Sequence, residues 1–543
     1  MNHLYFGDSL DILKELHAQH PEGFIDLIYI DPPFNSKRNY NVLFETVDIH
    51  DAKAQKEAFA DTWSNVSYFD TISELKASEL HLTNLLEGLQ AAGISKSAIS
   101  YLSTMAIRIF YIHKVLKSTG SFYLHCDTTM SHYLKIICDI IFGVKNFRND
   151  IIWKRSDAKG DISQGAKHLG RNTDNILFYT KSDDAYITQL YTPMTEDYID
   201  RFYRHIEEGT GRRYKLDNML GPGGAAKGNP YYEVMGIKRY WRYSKEKMAE
   251  LIKAGRVIQT NPGTVPMYKR YLDESKGVPL GNLWIDIDLV RGHSKEKLGY
   301  PTQKPVALLE RIIQISSKPG DLVADFFCGC GTTIAAAQKL NRKWIGVDIS
   351  HLAVGLIRKR LIDNYGEEIN KTFDIKGLPK DVASAHMLAE QPQGRMRFQD
   401  WVIETLIGGV TNEKKVGDGG YDGYTTLEVE KGKKEIVYIE VKSGNINVST
   451  LRSFAKTVQQ QKGSAGILVC FKEQITKGML NEAKGEGYFR EDLFGNRFDK
   501  IQIISVEDLL DGKMPELPRS TETGPFKKAE KAEKKGKSKG LFD

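Results

Sequence analysis

Cysteine is scarce. The chain of 543 residues holds five, Cys126, Cys138, Cys328, Cys330 and Cys470, an odd set without paired metal spacing. That excludes a disulfide-stapled scaffold and suits a reducing, cytoplasmic location, which is the expected one. Cys328 and Cys330 flank a single glycine, too tight for a zinc knuckle, and are expected to be small pocket-lining residues. No apolar run reaches the length of a membrane span, so no membrane partner is expected. Met1-Asn2-His3-Leu4 lacks the pattern of a signal peptide and is expected to open directly into a strand. A dominant charge sign is also missing: 76 Lys and Arg face 70 Asp and Glu, for a net +6. Residues 527–543 alone carry seven lysines against Glu530, Glu533 and Asp543, so the body is nearly neutral. A nucleic-acid-binding face, if present, is therefore local. The tail reads as a solvated, disordered end, with sequence-independent phosphate affinity as the alternative. The length implies two to four domains, and 41% apolar residues suffice for their cores.

Against these absences stands Asp31-Pro32-Pro33-Phe34. It follows the apolar run Phe24 to Ile30, which reads as a buried strand of a parallel sheet. Asp31 then falls at the strand's C-terminal end, where open α/β sheets keep their chemistry. Two prolines fix φ and remove two donors, leaving carbonyl acceptors on a rigid turn. Carboxylate, carbonyl and the Phe34 ring suit a planar group bearing an amine. The tetrapeptide alone fits a strand-capping turn equally well.

Before it, His3 to Asp8 read as a strand and Ser9 to His17 as a helix. Residues 35–100 are polar and helical, with Trp63 and Phe69 as anchors, and read as an insertion over the pocket mouth. A helix over 101–117 is expected to end at Ser118-Thr119-Gly120, before a strand at Ser121 to His125. Met130 to Phe142 has helical spacing, and Ile151-Ile152-Trp153 reads as a strand. Between 156 and 298 three clusters interleave cations with rings: Arg201-Phe202-Tyr203-Arg204, Lys238-Arg239-Tyr240-Trp241-Arg242-Tyr243 and Tyr268-Lys269-Arg270-Tyr271. Such clusters suit phosphates and stacked bases; any single one fits a solvated amphipathic surface, but three in one segment favour nucleic-acid contact.

From 300 the sheet pattern returns. Strand Asp321 to Phe327 leads into Cys328-Gly329-Cys330-Gly331-Thr332-Thr333, then an alanine-rich helix, then strand Lys343 to Val347 ending at Asp348. This is half of a nucleotide-binding sheet. Gly329 and Gly331 permit close approach of a ligand, and Asp348 is spaced for ribose hydroxyls. Without the three-glycine dinucleotide spacing or a phosphate-loop lysine, adenosine lacking a pyrophosphate is the expected ligand.

Residues 371–395 read as a connector. A further domain covers 396–515: a helix from Arg397 to Ile407, a turn Gly417 to Gly423, an alternating strand Ile436 to Lys442 and an apolar strand Ala465 to Cys470. Asp422, Glu440 and Lys442 are expected to converge. Two carboxylates could hold a Mg ion and the lysine orient a water, although an edge-strand charge pair has the same spacing.

Together the residues resemble a known family. Asp31-Pro32-Pro33-Phe34 resembles the catalytic motif of DNA amino-methyltransferases, and Asp325 to Thr333 their S-adenosylmethionine loop. With the catalytic motif first and Thr302-Gln303-Lys304-Pro305 just before the loop, the order resembles the permuted beta class, which includes type III modification subunits. Leu124-His125-Cys126-Asp127 and Ile141-Phe142-Gly143 strengthen the likeness. The C-terminal part resembles Mrr-type restriction nucleases of the PD-(D/E)xK fold, except that their helical Phe-Glu is here Phe398-Gln399, with Glu404 the nearest helical acid.

The resemblance implies an α/β fold: a Rossmann-like methyltransferase sheet in two parts (1–155 and 299–370), an inserted target-recognition domain (156–298), a connector (371–395), a nuclease-like domain (396–515) and a tail (516–543). It implies methyl transfer from S-adenosylmethionine to the exocyclic amine of adenine in duplex DNA, after the base is flipped out. Asp31 and the Pro32 carbonyl would accept from the amine, Pro33 would stiffen the turn and Phe34 would stack. Asp325, Phe327, Gly329, Gly331 and Thr332 would line the cofactor. Asp348 would hold its ribose and Asp8 lie near its adenine, with Thr302 and Lys304 at its methionine end. A leading Asp favours adenine over cytosine. Membership of a restriction system is implied, with a second subunit or a second copy as partner. Mg-dependent cleavage by Asp422, Glu440 and Lys442 is the weaker implication, and a non-cleaving DNA-binding module is its alternative.

Overall fold

The computed structural model describes residues 2–33, 68–157, 165, 167–291, 294–298, 300, 302–390, 394–412, 420–430, 433–490 and 497–517. Phe34, Trp63, Gly417 to Gly419 and the tail from 518 lie outside them, as does the side chain of Phe69. The chain divides into two compact units: Gln189–Gly281, and the described residues before and after it. Among the described residues no helix is long and apolar enough to cross a membrane.

The larger unit is built on nine strands: β1 (Asn2–Phe6), β2 (Ile25–Ile30), β3 (Leu116–Cys126), β4 (Phe147–Lys154), β5 (Thr173–Thr180), β6 (Leu283–Trp284), β7 (Leu322–Asp325), β8 (Lys343–Asp348) and β9 (Phe373–Lys376). Their order is β6-β4-β5-β3-β2-β7-β8-β1-β9. The run from β3 to β9 is parallel, while β5 is antiparallel to both β3 and β4. β2 is central, and all its residues but Asp26 are buried, as expected for a strand covered on both faces. Asp26 ties the two halves of the chain: it accepts from the Leu322 amide at 2.9 Å, across 296 positions, and pairs with Lys117 at 2.6 Å.

Several sequence expectations change here. The long helix is Lys96–Val115, capped by Ser95, and Ser118 to Gly120 belong to β3 instead of a helix end. Leu116 pairs with Ile25, so strand hydrogen bonds win over local helix propensity. The described part of the polar insertion is not a loose cover. Helices Tyr68–Ser78 and Leu80–Ala91 send Leu75, Leu82 and Leu86 into the sheet's own core. The connector region supplies edge strand β9, and two strands within 156–298, β5 and β6, belong to the large sheet.

In the smaller unit, Arg213–Asn218 and Met267–Tyr271 pair antiparallel, and a separate hairpin joins Tyr231–Val234 to Ile237–Tyr240. At the C-terminal side of the larger unit, five strands run Val410–Thr411, Gly423–Glu430, Lys433–Val441, Ala465–Cys470, Ile501–Ser505. The helix expected over Arg397 to Ile407 is Gly394–Asp400 followed by a π-helical turn, Trp401–Ile407. That turn packs on helix His351–Tyr365. A Cβ on Gly355 would lie 3.0 Å from the Glu404 carbonyl, so the close approach needs glycine.

Candidate active site at the carboxyl edge of the sheet

Parallel strands end on one edge, and four acids follow from that: Asp8 after β1, Asp31 after β2, Asp325 at the end of β7 and Asp348 at the end of β8. Register aligns them, with Phe6 beside Asp348, Asp325 beside Gly346 and Ala324 beside Ile28. Burial pushes the Asp325 carboxyl up to about 7, and the charges of Asp31 and Asp348 add to the shift. The hydroxyl of Thr333 and the amide of Phe327 donate to it at 2.5 and 2.9 Å and oppose the shift.

Asp31 is met by Lys304, whose ammonium donates to Oδ2. Both side chains are sheltered, 16% and 12% exposed. The carbonyl of Lys304 in turn accepts from the Thr332 hydroxyl at 3.2 Å. One residue thus joins the Asp-Pro-Pro corner to the glycine loop. Pro32 is buried and Pro33 half-buried, whereas Thr302 is exposed. Gln303, quoted in the motif but given no role, is buried and ties its own loop by accepting from Leu298 and donating to the Glu296 carbonyl.

The glycine loop turns on Gly329 and Gly331, both left-handed at φ +49° and +72°. A Cβ on Gly331 would stand 2.6 Å from Ile357 Cγ1. Asp348 shapes the loop from below: its oxygens accept from the Gly329 and Ser350 amides at 2.8 and 2.9 Å. Burial raises it to about 6. Beside the loop lies a pocket lined by Gly7, Asp8, Ser9, Thr104, Met105, Arg108, Phe326, Phe327, Asp348 and Ile349. Its only basic lining residue, Arg108, is locked onto Asp8 by two contacts of 2.8 Å. Among the described lining residues, apolar walls and carboxylates predominate and no unpaired cation faces the pocket.

Arg108 is not anticipated from sequence. A lone arginine inside an apolar helix is a signal that could have found it, because such a charge needs a buried carboxylate. A second unanticipated array lies beneath Asp31. The Tyr29 hydroxyl bonds His125 Nδ1 at 2.9 Å, and His125 Nε2 meets Asp174 at 3.1 Å. Arg155 approaches the other Asp174 oxygen at 3.1 Å. Burial acts to raise Asp174, but the His125 hydrogen bond and the nearby cations bring it below the usual carboxylate range.

In the C-terminal sheet, Asp422, Glu440 and Lys442 do come together. Lys442 Nζ lies 2.7 Å from Glu440 and 3.9 Å from Asp422, which also accepts from the Val441 amide at 2.8 Å. Gln399, at the position of the expected helical acid, donates its amide to the Val441 carbonyl at 3.3 Å. Among the described residues no three potential ligands cluster to hold a metal ion. Glu404 accepts from Thr411 at 2.7 Å. Lys442 thus engages Glu440 directly, and a neutral amide stands where a further acid was expected.

A family model for N6/N4 DNA methylases matches residues 25–359. A second, described as NACHT-associated inactive restriction endonuclease 1, matches residues 396–511. The Mod subunit of the type III restriction-modification enzyme StyLTI of Salmonella typhimurium is 28% identical over 350 residues, 62% of this chain and 50% of that protein. The type II methyltransferase M.EcaI of Enterobacter cloacae is 32% identical over 266 residues, 48% of this chain and 57% of that protein. The match thus spans little more than half the length of these two relatives. The DNA adenine methyltransferase YhdJ of Escherichia coli is 28% identical over 365 residues, 67% of this chain and 84% of that protein.

Proposed function

The chain belongs to the N6/N4 DNA methylase family, and from that premise we propose that it methylates the exocyclic amine of adenine in duplex DNA, within a restriction-modification system. The observation that carries the reading is the bridge from Asp31 through Lys304 to Thr332. It holds the amine-accepting corner and the glycine loop at one edge. S-adenosylmethionine, when bound, supplies an electrophilic methyl group.

The chain's own residues bind, orient and exclude. Phe327, Gly329, Gly331 and Thr332 form the cofactor's cradle, with Asp8 and Asp348 on the adenosine side. Asp31 and the Pro32 carbonyl accept hydrogen bonds from the target amine, which keeps its lone pair out of ring conjugation and aimed outward. Phe34 stacks on the extruded base. The nucleophile is the amine itself: burial pushes the nearby Cys328 thiol well above the usual range, so it is no thiolate competitor. Most of the acceleration then comes from positioning. The Asp-led motif and the likeness to an adenine methyltransferase support adenine over cytosine. Likeness to a Mod subunit supports a restriction-system partner.

For 396–515 the reading is a DNA-binding module that does not cleave. Gln399 in place of an acid, and the Lys442 ammonium on Glu440, support it, as does the likeness to a restriction endonuclease family described as inactive. Label transfer from S-adenosylmethionine to duplex DNA tests the main reading, with Asp31→Ala as the decisive variant. Retained transfer in that variant rejects the role of Asp31. Mg-dependent nicking that Lys442→Ala abolishes rejects the non-cleaving reading.

A further inference from the structure

The three clusters of cations and rings in the smaller unit differ once folded. In Tyr268 to Tyr271 the cations are neutralised internally: Lys269 pairs with Glu207 at 2.9 Å and Arg270 with Asp217 at 2.6 Å. At the first cluster Arg201 lies over the Phe202 ring, 5.3 Å from its centre. The cluster at 238–243 is unlike that at 268–271. Among the described residues no carboxylate lies within ion-pair distance of Lys238, Arg239 or Arg242, and all three are exposed. Glu233 stands opposite Lys238 in register without closing an ion pair.

These cations belong to the hairpin Tyr231–Val234 and Ile237–Tyr240 or follow it directly. Tyr231 and Tyr240 are 59% and 37% exposed, with ring centres 4.8 Å apart. The tip is Met235-Gly236, both left-handed at φ +47° and +81°. A two-residue turn of this kind favours Asn-Gly. Met235 holds a backbone conformation uncommon for its type and leaves an apolar side chain 46% exposed. Local strain of this kind concentrates at working sites.

We propose that this hairpin enters a groove of duplex DNA, with Lys238, Arg239 and Arg242 on backbone phosphates and Met235 wedged between base steps. Unneutralised cations supply the phosphate affinity, and an apolar wedge lowers the barrier to unstacking. The proposal rests on the reading of the chain as a DNA methyltransferase.

Two experiments on the full chain test it. In a salt series with a short mixed-sequence duplex, the triple variant K238A/R239A/R242A should show a shallower dependence of log affinity on log salt, by about 0.9 for each phosphate no longer neutralised. An unchanged slope overturns the cation assignment, whether or not the protein methylates. Met235→Asn should leave the melting temperature unchanged or raised, because it relaxes the turn. It should nevertheless weaken binding of a matched duplex by about tenfold, and much less that of a duplex with mismatches throughout the bound stretch, where unstacking is already easy. Equal effects on both duplexes, or none on either, overturn the wedge. Absence of methylation by the wild type overturns the enzymatic reading instead, while the salt series still decides whether the hairpin binds DNA.

Discussion

Lys304→Met removes the ammonium from Asp31 without removing the stem. Both side chains are mostly sheltered, 16% and 12% exposed. At roughly 3 Å and an effective dielectric of about 20, the Coulomb attraction is about 5 kcal/mol. Desolvation of the two ions offsets part of it, and leaving one buried charge unpaired should cost about 3 kcal/mol. Asp31 would then lie close to Asp325 with no compensating cation. Urea unfolding of the wild type, K304M, D31N and the double variant measures the coupling, which should be about 2 kcal/mol or more because the residues touch. Steady-state label transfer adds the second reading: K304M should lower kcat, whereas K304R should restore part of it. The reasoning is refuted if the stability changes are additive and K304M raises only the KM for S-adenosylmethionine. Lys304 would then act on the cofactor alone.

Four further outcomes are expected. Burial holds Asp325 at about 7, so between about pH 4 and 7 the folded chain keeps a proton that the unfolded chain releases. Asp325 therefore contributes a fall in stability as pH rises through that window, up to about 1.4 kcal/mol per pH unit; Asp325→Asn should flatten this in urea titrations, and an unaltered slope counts against it. His125→Phe strips partners from the Tyr29 hydroxyl and the Asp174 carboxylate and should destabilise by about 3 kcal/mol in urea unfolding, with His125→Gln milder. Gly331→Ala forces a left-handed φ and a 2.6 Å approach to Ile357; the same measurement should show a loss of about 2 kcal/mol, partly recovered by adding Ile357→Ala. Removal of Mg by chelation should leave methyl transfer unchanged in the label assay, since the edge that holds Asp31 uses no metal in the proposed reaction.

Much of the edge was legible because its signals are local. An apolar run broken only by Asp26 before Asp31 marks a buried parallel strand, and β2 is that. Strand, glycine loop, helix, strand and acid mark a nucleotide-binding half-sheet, realised as β7, Thr332–Lys339 and β8. Misreadings arose where partners at a distance overrode local preference. Ser118 to Gly120 read as a helix end, but pairing of Leu116 with Ile25 drew the chain into β3. The segment 35–100 read as a polar cover; residues 34–67 lie outside the described ones, and in the described part Leu75, Leu82 and Leu86 are core. Basic-aromatic texture marked three clusters alike, and only the fold distinguishes the one whose cations are paired with carboxylates.

By itself the sequence determined which short stretches become strand ends, tight glycine turns and acidic corners, since backbone sterics and side-chain periodicity act within a few residues. Only the tertiary structure decided who meets whom: Lys304 on Asp31, Arg108 on Asp8, His125 between Tyr29 and Asp174. Those choices depend on strand order and on which charges are buried together, and neither is encoded in the spacing of any one motif.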